Sequence, residues 1–230
     1  MRKPTMFLPA LVLGIAGAIS AATPSLAFPI IYTETATATG CLGNVTKVAG
    51  VITCAAGTAF TSALVTITMS NDTTNASETN MSTGLWENVG AAGTVTVTVA
   101  GLGSAMFSDQ IAAFSNQMVP AGSGQTVSLA GFADLGFTPP LDILDTENAS
   151  FATYDLKSFI GPLSGTPAAT SANEIFPTSD GGFVLTGVPA SSTFAAVPAP
   201  SIGRGLPVVL AVLLGAKLLK RRRKRHPLAC

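Results

Sequence analysis

Three carboxylates and an amide fall within seven residues at Asp142-Ile143-Leu144-Asp145-Thr146-Glu147-Asn148, directly after Pro139-Pro140. Oxygen ligands at such density suit a hard cation such as Ca²⁺, which takes roughly six to eight of them. The spacing is not that of an EF-hand loop, and Asp and Asn also initiate turns by bonding their own backbone. The stretch is expected to be a solvated turn, with a calcium site as the alternative.

Nucleophilic chemistry has little to work with. The only histidine, His226, stands beside the C-terminal basic cluster, so the body of the chain lacks the base of a Ser-His-Asp or Cys-His site and any histidine metal ligand. A carboxylate pair, as in glycoside hydrolysis, is what remains for an enzyme. Twelve Asp and Glu are present, but no local pattern separates an acid from a nucleophile. No catalytic residue, cofactor or metal ligand is inferred.

Cys41 and Cys54 flank what reads as a hairpin, and in an oxidising compartment they are expected to form one disulfide. The C-x₁₂-C spacing lacks the close cysteine pairing of a zinc site. Cys230 follows the basic cluster and reads as a terminal thiol, with acylation as the alternative. Trp86 is the only tryptophan; it is expected to pack in the core or anchor a loop, and a sugar-stacking platform is the alternative. Five Asn-x-Ser/Thr sequons, at Asn44, Asn71, Asn75, Asn80 and Asn148, are expected from chance in a Thr- and Ser-rich chain.

Strands must position these residues. Ala63, Val65, Ile67 and Met69 alternate with Leu64, Thr66 and Thr68, and three valines alternate with three threonines from Thr94 to Val99. Gly101-Leu102-Gly103 separates Val95 to Val99 from Ser104 to Ile111, which reads as a hairpin. Further strands are expected at Ile30 to Ala38, Val48 to Cys54, Gln125 to Ala130, Ala149 to Leu156, Phe183 to Val188 and Thr193 to Val197. Ser70 to Asn80 and Gly161 to Asn173 read as exposed loops, and a short helical turn is allowed near Phe132 to Leu135. The fold class is all-β, an antiparallel β-sandwich with a jelly-roll as one form of it, between an N-terminal signal helix and a C-terminal transmembrane helix.

Charge is segregated. Net charge is zero, yet all 12 acidic residues lie between Glu34 and Asp180 with only Lys47 and Lys157 for company, a formal −10. Phosphate binding needs clustered cations, so nucleic acid is not expected as a partner. The cations sit at the ends. Arg2 and Lys3 precede an apolar stretch that closes on Ser25-Leu26-Ala27, a signal peptide over residues 1–27 with Ala22 as the alternative cleavage point. One exported domain is expected over 28–196.

At the other end, residues 197–230 comprise Val197-Pro198-Ala199-Pro200, an apolar run and the cluster Lys220-Arg221-Arg222-Arg223-Lys224-Arg225. Residues 202–219 would make a helix of about 27 Å, long enough to span a bilayer with Arg204 and Lys217 near its two interfaces. The basic cluster fixes the C-terminus in the cytoplasm. The run has no polar face, which disfavours an amphipathic or DNA-binding helix.

A signal peptide combined with this three-part end resembles the PEP-CTERM sorting-signal family of exported Gram-negative proteins. Val197, Pro198 and Pro200 match its motif, while Ala199 stands where Glu is usual. The resemblance covers about 30 residues. Stretches such as Thr61-Ser62-Ala63-Leu64-Val65-Thr66-Ile67-Thr68 and Leu141-Asp142-Ile143-Leu144-Asp145-Thr146 are similar to β-rich domains of uncharacterised members. The resemblance implies a sorting protease of the exosortase type as partner and an exopolysaccharide-linked setting. The expected location is the inner membrane, with the C-terminus cytoplasmic, then the cell surface or medium after processing. The expected function is a structural or adhesive surface protein without catalysis. The alternative is a carbohydrate- or calcium-binding module, with a carboxylate-pair hydrolase as its least favoured form.

Overall fold

The computed structural model describes residues 28–79, 84–120 and 126–199. The expected signal peptide, the transmembrane run, Pro200 and the basic cluster at 220–225 lie outside these. No helix among the described residues is long and apolar enough to cross a membrane.

In chain order the strands are β1 (Pro29–Gly43), β2 (Val45–Val48), β3 (Val51–Cys54), β4 (Ala59–Asp72), β5 (Ala76–Glu78), β6 (Leu85–Val89), β7 (Thr96–Val99) and β8 (Gly103–Met106). There follow β9 (Ile111–Pro120), β10 (Thr126–Asp134), β11 (Leu141–Glu147), β12 (Ile160–Gly165), β13 (Phe176–Thr178), β14 (Gly181–Leu185) and β15 (Ser192–Pro198). Single 3₁₀ turns occupy Thr73–Asn75 and Ala149–Thr153. The all-β expectation holds, and the pairings are antiparallel.

A first sheet runs β12-β15-β1-β4-β7-β8, with β14 paired to the far half of β1 and β13 paired to β14. A second runs β11-β10-β9-β6-β5, and β2-β3 stand apart as a hairpin. Strand β1 organises the first sheet because its even-numbered residues Ile30, Tyr32, Glu34, Ala36 and Ala38 all turn inward. It pairs with β15 over Ile30 to Ala36 and with β14 over Gly40 to Gly43. Gly40 permits the switch: a Cβ there would lie 2.0 Å from the Val184 carbonyl oxygen.

Both sheets contribute to one core. Phe194 of β15 is its hub, with ring centroids 5.7 Å from Phe151, 6.2 Å from Tyr154, 6.3 Å from Tyr32 and 6.5 Å from Phe132. Edge-on and tilted aromatic pairs at such distances add to the burial of apolar surface.

Four expected elements are corrected. Residues 149–156 form a 3₁₀ turn and its exit instead of a strand: Asn148 Oδ1 accepts from the Ser150 amide at 3.0 Å, and Phe151 and Tyr154, three apart, both reach the core. Residues 132–134 continue β10 instead of making a helical turn. Part of the expected loop at 70–80 is ordered. There β4 extends to Asp72, Thr73 and Ala76 are buried, and the chain crosses to the second sheet as β5. Gly161 to Gly165, also expected in a loop, belong to β12.

That crossing is tied down by a polar network between the sheets. Asn71 Nδ2 donates to Asn88 Oδ1 at 2.6 Å and to the Val89 carbonyl at 2.9 Å. Asn88 Nδ2 donates to the Tyr32 hydroxyl and the Asp72 carbonyl, each at 2.9 Å, and Tyr32 donates onward to the Leu156 carbonyl at 2.6 Å. Every buried amide group of Asn88 is thereby used, as burial of a polar group requires.

Candidate functional site

The acidic stretch is strand β11, so its side chains leave in different directions and do not converge. Asp145 is fully buried; its Oδ2 accepts from the amides of Ala168 at 2.9 Å and Ala169 at 3.0 Å, and Thr170 Oγ1 donates to Oδ1. This carboxylate pins the segment around Ala168 to Thr170 over the second sheet. Thr146 turns to the opposite side and enters the core. Asn148 caps the 3₁₀ turn and donates from Nδ2 to the Ser164 carbonyl at 3.0 Å. The expected solvated turn is thus corrected to a largely buried strand. Among the described residues no group of three or more His, Cys, Asp or Glu side chains is placed to hold a metal ion.

Asp142 does something else. It pairs in register with Ala133 and so lies on the face of the second sheet turned away from the core. On that face Phe114, Leu129 and Ala133 form a small apolar cluster with Leu85 packed against it. Glu87 is opposite Phe114 in register and joins the same face. These side chains and Ala169 line a cleft of about 230 Å³, with Ala169 coming from the segment that Asp145 pins.

Among the described residues the two carboxylates of the cleft have no counter-charge. Burial raises the Glu87 carboxyl above the usual carboxylate range, and burial followed by the charge of Asp145 pushes Asp142 up to about 7. Residues 28–199 contain only two cations, Lys47 and Lys157. Lys47 Nζ pairs with Glu174 Oε1 at 2.8 Å. Lys157 Nζ lies over the Trp86 ring, 4.5 Å from its centroid. Trp86 itself is half-buried against the core, so Lys157 occupies the ring face that a sugar would need.

A third buried carboxylate, Glu34, faces the core from β1. Burial holds it well above the usual range, and the charge of Asp145 adds to the rise. The alternation from Ile30 to Ala38 already places Glu34 inward, so its burial was there to be found; Glu87 gave no comparable signal.

Cys41 and Cys54 form the expected disulfide, with Cα atoms 5.7 Å apart, and it ties the β2-β3 hairpin to the end of β1. Of the sequons, Asn44 is exposed, whereas Asn71, Asn75 and Asn148 have their amides engaged in hydrogen bonds; Asn80 lies outside the described residues.

The first three residues of the Val197-Pro198-Ala199-Pro200 motif are the end of β15 and its exit, with the Val197 and Pro198 side chains exposed. Val197 is opposite Ile31 and Pro198 opposite Ile30, and the Ala199 amide donates to the Pro29 carbonyl at 3.0 Å. On the other side of β15, pairing with β12 stops at Ile160 with Ala196, so Pro198 sits where no neighbouring strand needs its missing N–H. Compared with known proteins, the chain matches no family model, no curated protein and no solved structure.

Proposed function

We propose that the chain is an exported structural or adhesive protein of the cell surface or extracellular matrix, carrying a PEP-CTERM-like sorting signal and no catalytic activity. Residues 1–27 direct export, and a transmembrane helix at about 202–219 holds the chain at the inner membrane until an exosortase-type protease acts near Val197, Pro198 and Pro200. The domain between is read as a β-sandwich. The consecutive meander of β9, β10 and β11 favours a plain sandwich over a jelly-roll.

The observation that carries this reading is the pairing of the two ends. Pro29 and Ala199 bond to one another at one margin of the first sheet, so the segments before and after the domain leave from the same corner. A domain held by one terminal helix can then stand clear of the membrane with its whole opposite side presented. Phe28, the first residue after the expected cleavage point, is itself paired to Thr73 through N–H···O contacts of 3.3 and 3.1 Å, which suits it to be a mature N-terminus.

Topology tests the membrane part. Alkaline phosphatase fused after Ala199 is expected to be active in the exporting host, and the same reporter fused after Cys230 inactive; activity of the second fusion would contradict the assigned orientation. A second reading, a binding module, is favoured by the cleft between Glu87 and Asp142. The Asp142 to Asn148 calcium site loses support because its side chains diverge.

A further inference from the structure

We propose that the outer-face cleft of the second sheet binds a small aliphatic diamine, one ammonium group at Glu87 and the other at Asp142, with the hydrocarbon chain lying across Phe114 and Leu129. This inference rests on the binding-module reading and names its ligand class.

Charge favours a cationic occupant above the pH at which the carboxyls ionise. Both carboxylates line the same cleft, neither has a basic partner among the described residues, and the two lysines of residues 28–199 are engaged at Glu174 and Trp86. A desolvated carboxylate without a partner is costly, and an ammonium ion relieves that cost by charge and hydrogen bonding together. The floor between them is largely apolar, from Leu85, Phe114, Leu129 and Ala133 with Asn116 among them, which suits methylene groups.

Spacing selects a diamine over a metal ion. Glu87 is on β6 and Asp142 on β11, with β9 and β10 between them. Three strand spacings set their backbones about 14 Å apart. One metal ion needs oxygens within about 2.6 Å, a convergence these two strands do not provide. A chain with a cation at each end suits the separation. A cleft of about 230 Å³ has room for a short diamine chain.

The test is thermal unfolding of the full-length protein at pH 8 with cadaverine (pentane-1,5-diamine), its neutral isostere pentane-1,5-diol, Ca²⁺ and a neutral oligosaccharide. Cadaverine at ten times its dissociation constant is expected to raise Tm by about 3 °C. The diol is expected to give no shift. Asp142→Asn and Glu87→Gln should each weaken cadaverine binding at least about tenfold, as loss of one charge-assisted contact does. Glu87 is part-exposed, so its variant remains an informative arm if Asp142→Asn folds poorly. Equal shifts from diamine and diol, or a cadaverine shift that survives Glu87→Gln, would overturn the proposal. A shift with the oligosaccharide or Ca²⁺ and none with cadaverine would sink the diamine while keeping the binding-module reading. No shift with any probe would sink both.

Discussion

Thr146 Oγ1 on β11 lies 2.5 Å from Glu34 Oε1 on β1, joining the two sheets through a carboxyl group in the core. Thr146 Oγ1 is also 2.7 Å from Ser192 Oγ, and Ser192 Oγ donates to the Asp145 carbonyl at 2.6 Å. Each hydroxyl has one proton. Ser192 spends its proton on the carbonyl, so Thr146 must donate to Ser192, and the remaining contact is satisfied only if Glu34 supplies a proton to Thr146. Proton count and burial therefore agree on a neutral Glu34.

A raised carboxyl has a definite consequence for pH. The folded protein binds more protons than the unfolded chain between the ordinary carboxylate range and the raised value, so stability is full below that range and falls as pH rises through the raised value. Glu34, Asp142, Glu87 and Asp134 all act in this sense, Asp142 with its midpoint at about 7. Tm is expected to be several degrees higher near pH 5 than at pH 8. Glu34→Gln, whose amide can still donate to Thr146, should flatten that slope, whereas Glu34→Ala should destabilise by roughly 1–3 kcal/mol by removing the bond that Thr146 accepts in the core. A pH titration of Tm on the three proteins checks this.

Asn88 makes the second joint between the sheets. Asn88→Ala removes partners from Asn71, Tyr32 and the Asp72 carbonyl together and is expected to cost about 2–3 kcal/mol in urea unfolding. Tyr32→Phe, which keeps the ring and loses the bonds to Leu156 and Asn88, should cost about 1–2 kcal/mol.

Reduction of the disulfide is expected to lower stability by about 2–3 kcal/mol, since it reopens a short loop in the unfolded chain. Tm with and without dithiothreitol, compared with the Cys41→Ala/Cys54→Ala double variant, measures it; the double variant should be insensitive to the reductant.

Gly40→Ala tests the point where β1 exchanges β15 for β14. Its Cβ would meet backbone at 2.0 Å, so the strands must part, and a loss of at least about 3 kcal/mol is expected. Ala36→Gly, on the same face of β1 before the switch, should cost about 1 kcal/mol.

The strands legible in the sequence are those with one wet face. β1, β4 and β7 alternate because Thr faces solvent between inward Ile, Val and Met. β9 did not stand out as a strand because Ile111, Ala112, Ala113, Phe114 and Ser115 are all buried, which erases alternation. β6 was missed because Asn88, a residue typical of turns, points inward to bond Tyr32. The acidity of β11 resembled a solvated turn, since nothing local reveals that Ala168 to Thr170 arrive from more than twenty residues away to bond Asp145. The disulfide was legible because its two cysteines flank a local hairpin. The cleft was not, because Glu87 and Asp142 meet only through two intervening strands.

The central claim is that this domain is exported, held by its tail and then processed beside the paired ends at Pro29 and Ala199. Intact mass of the mature protein from its native host tests it most directly. The account predicts a chain that begins at Phe28 and ends near Pro200; a chain that retains residues 1–27, or one that runs intact through Cys230, would contradict it.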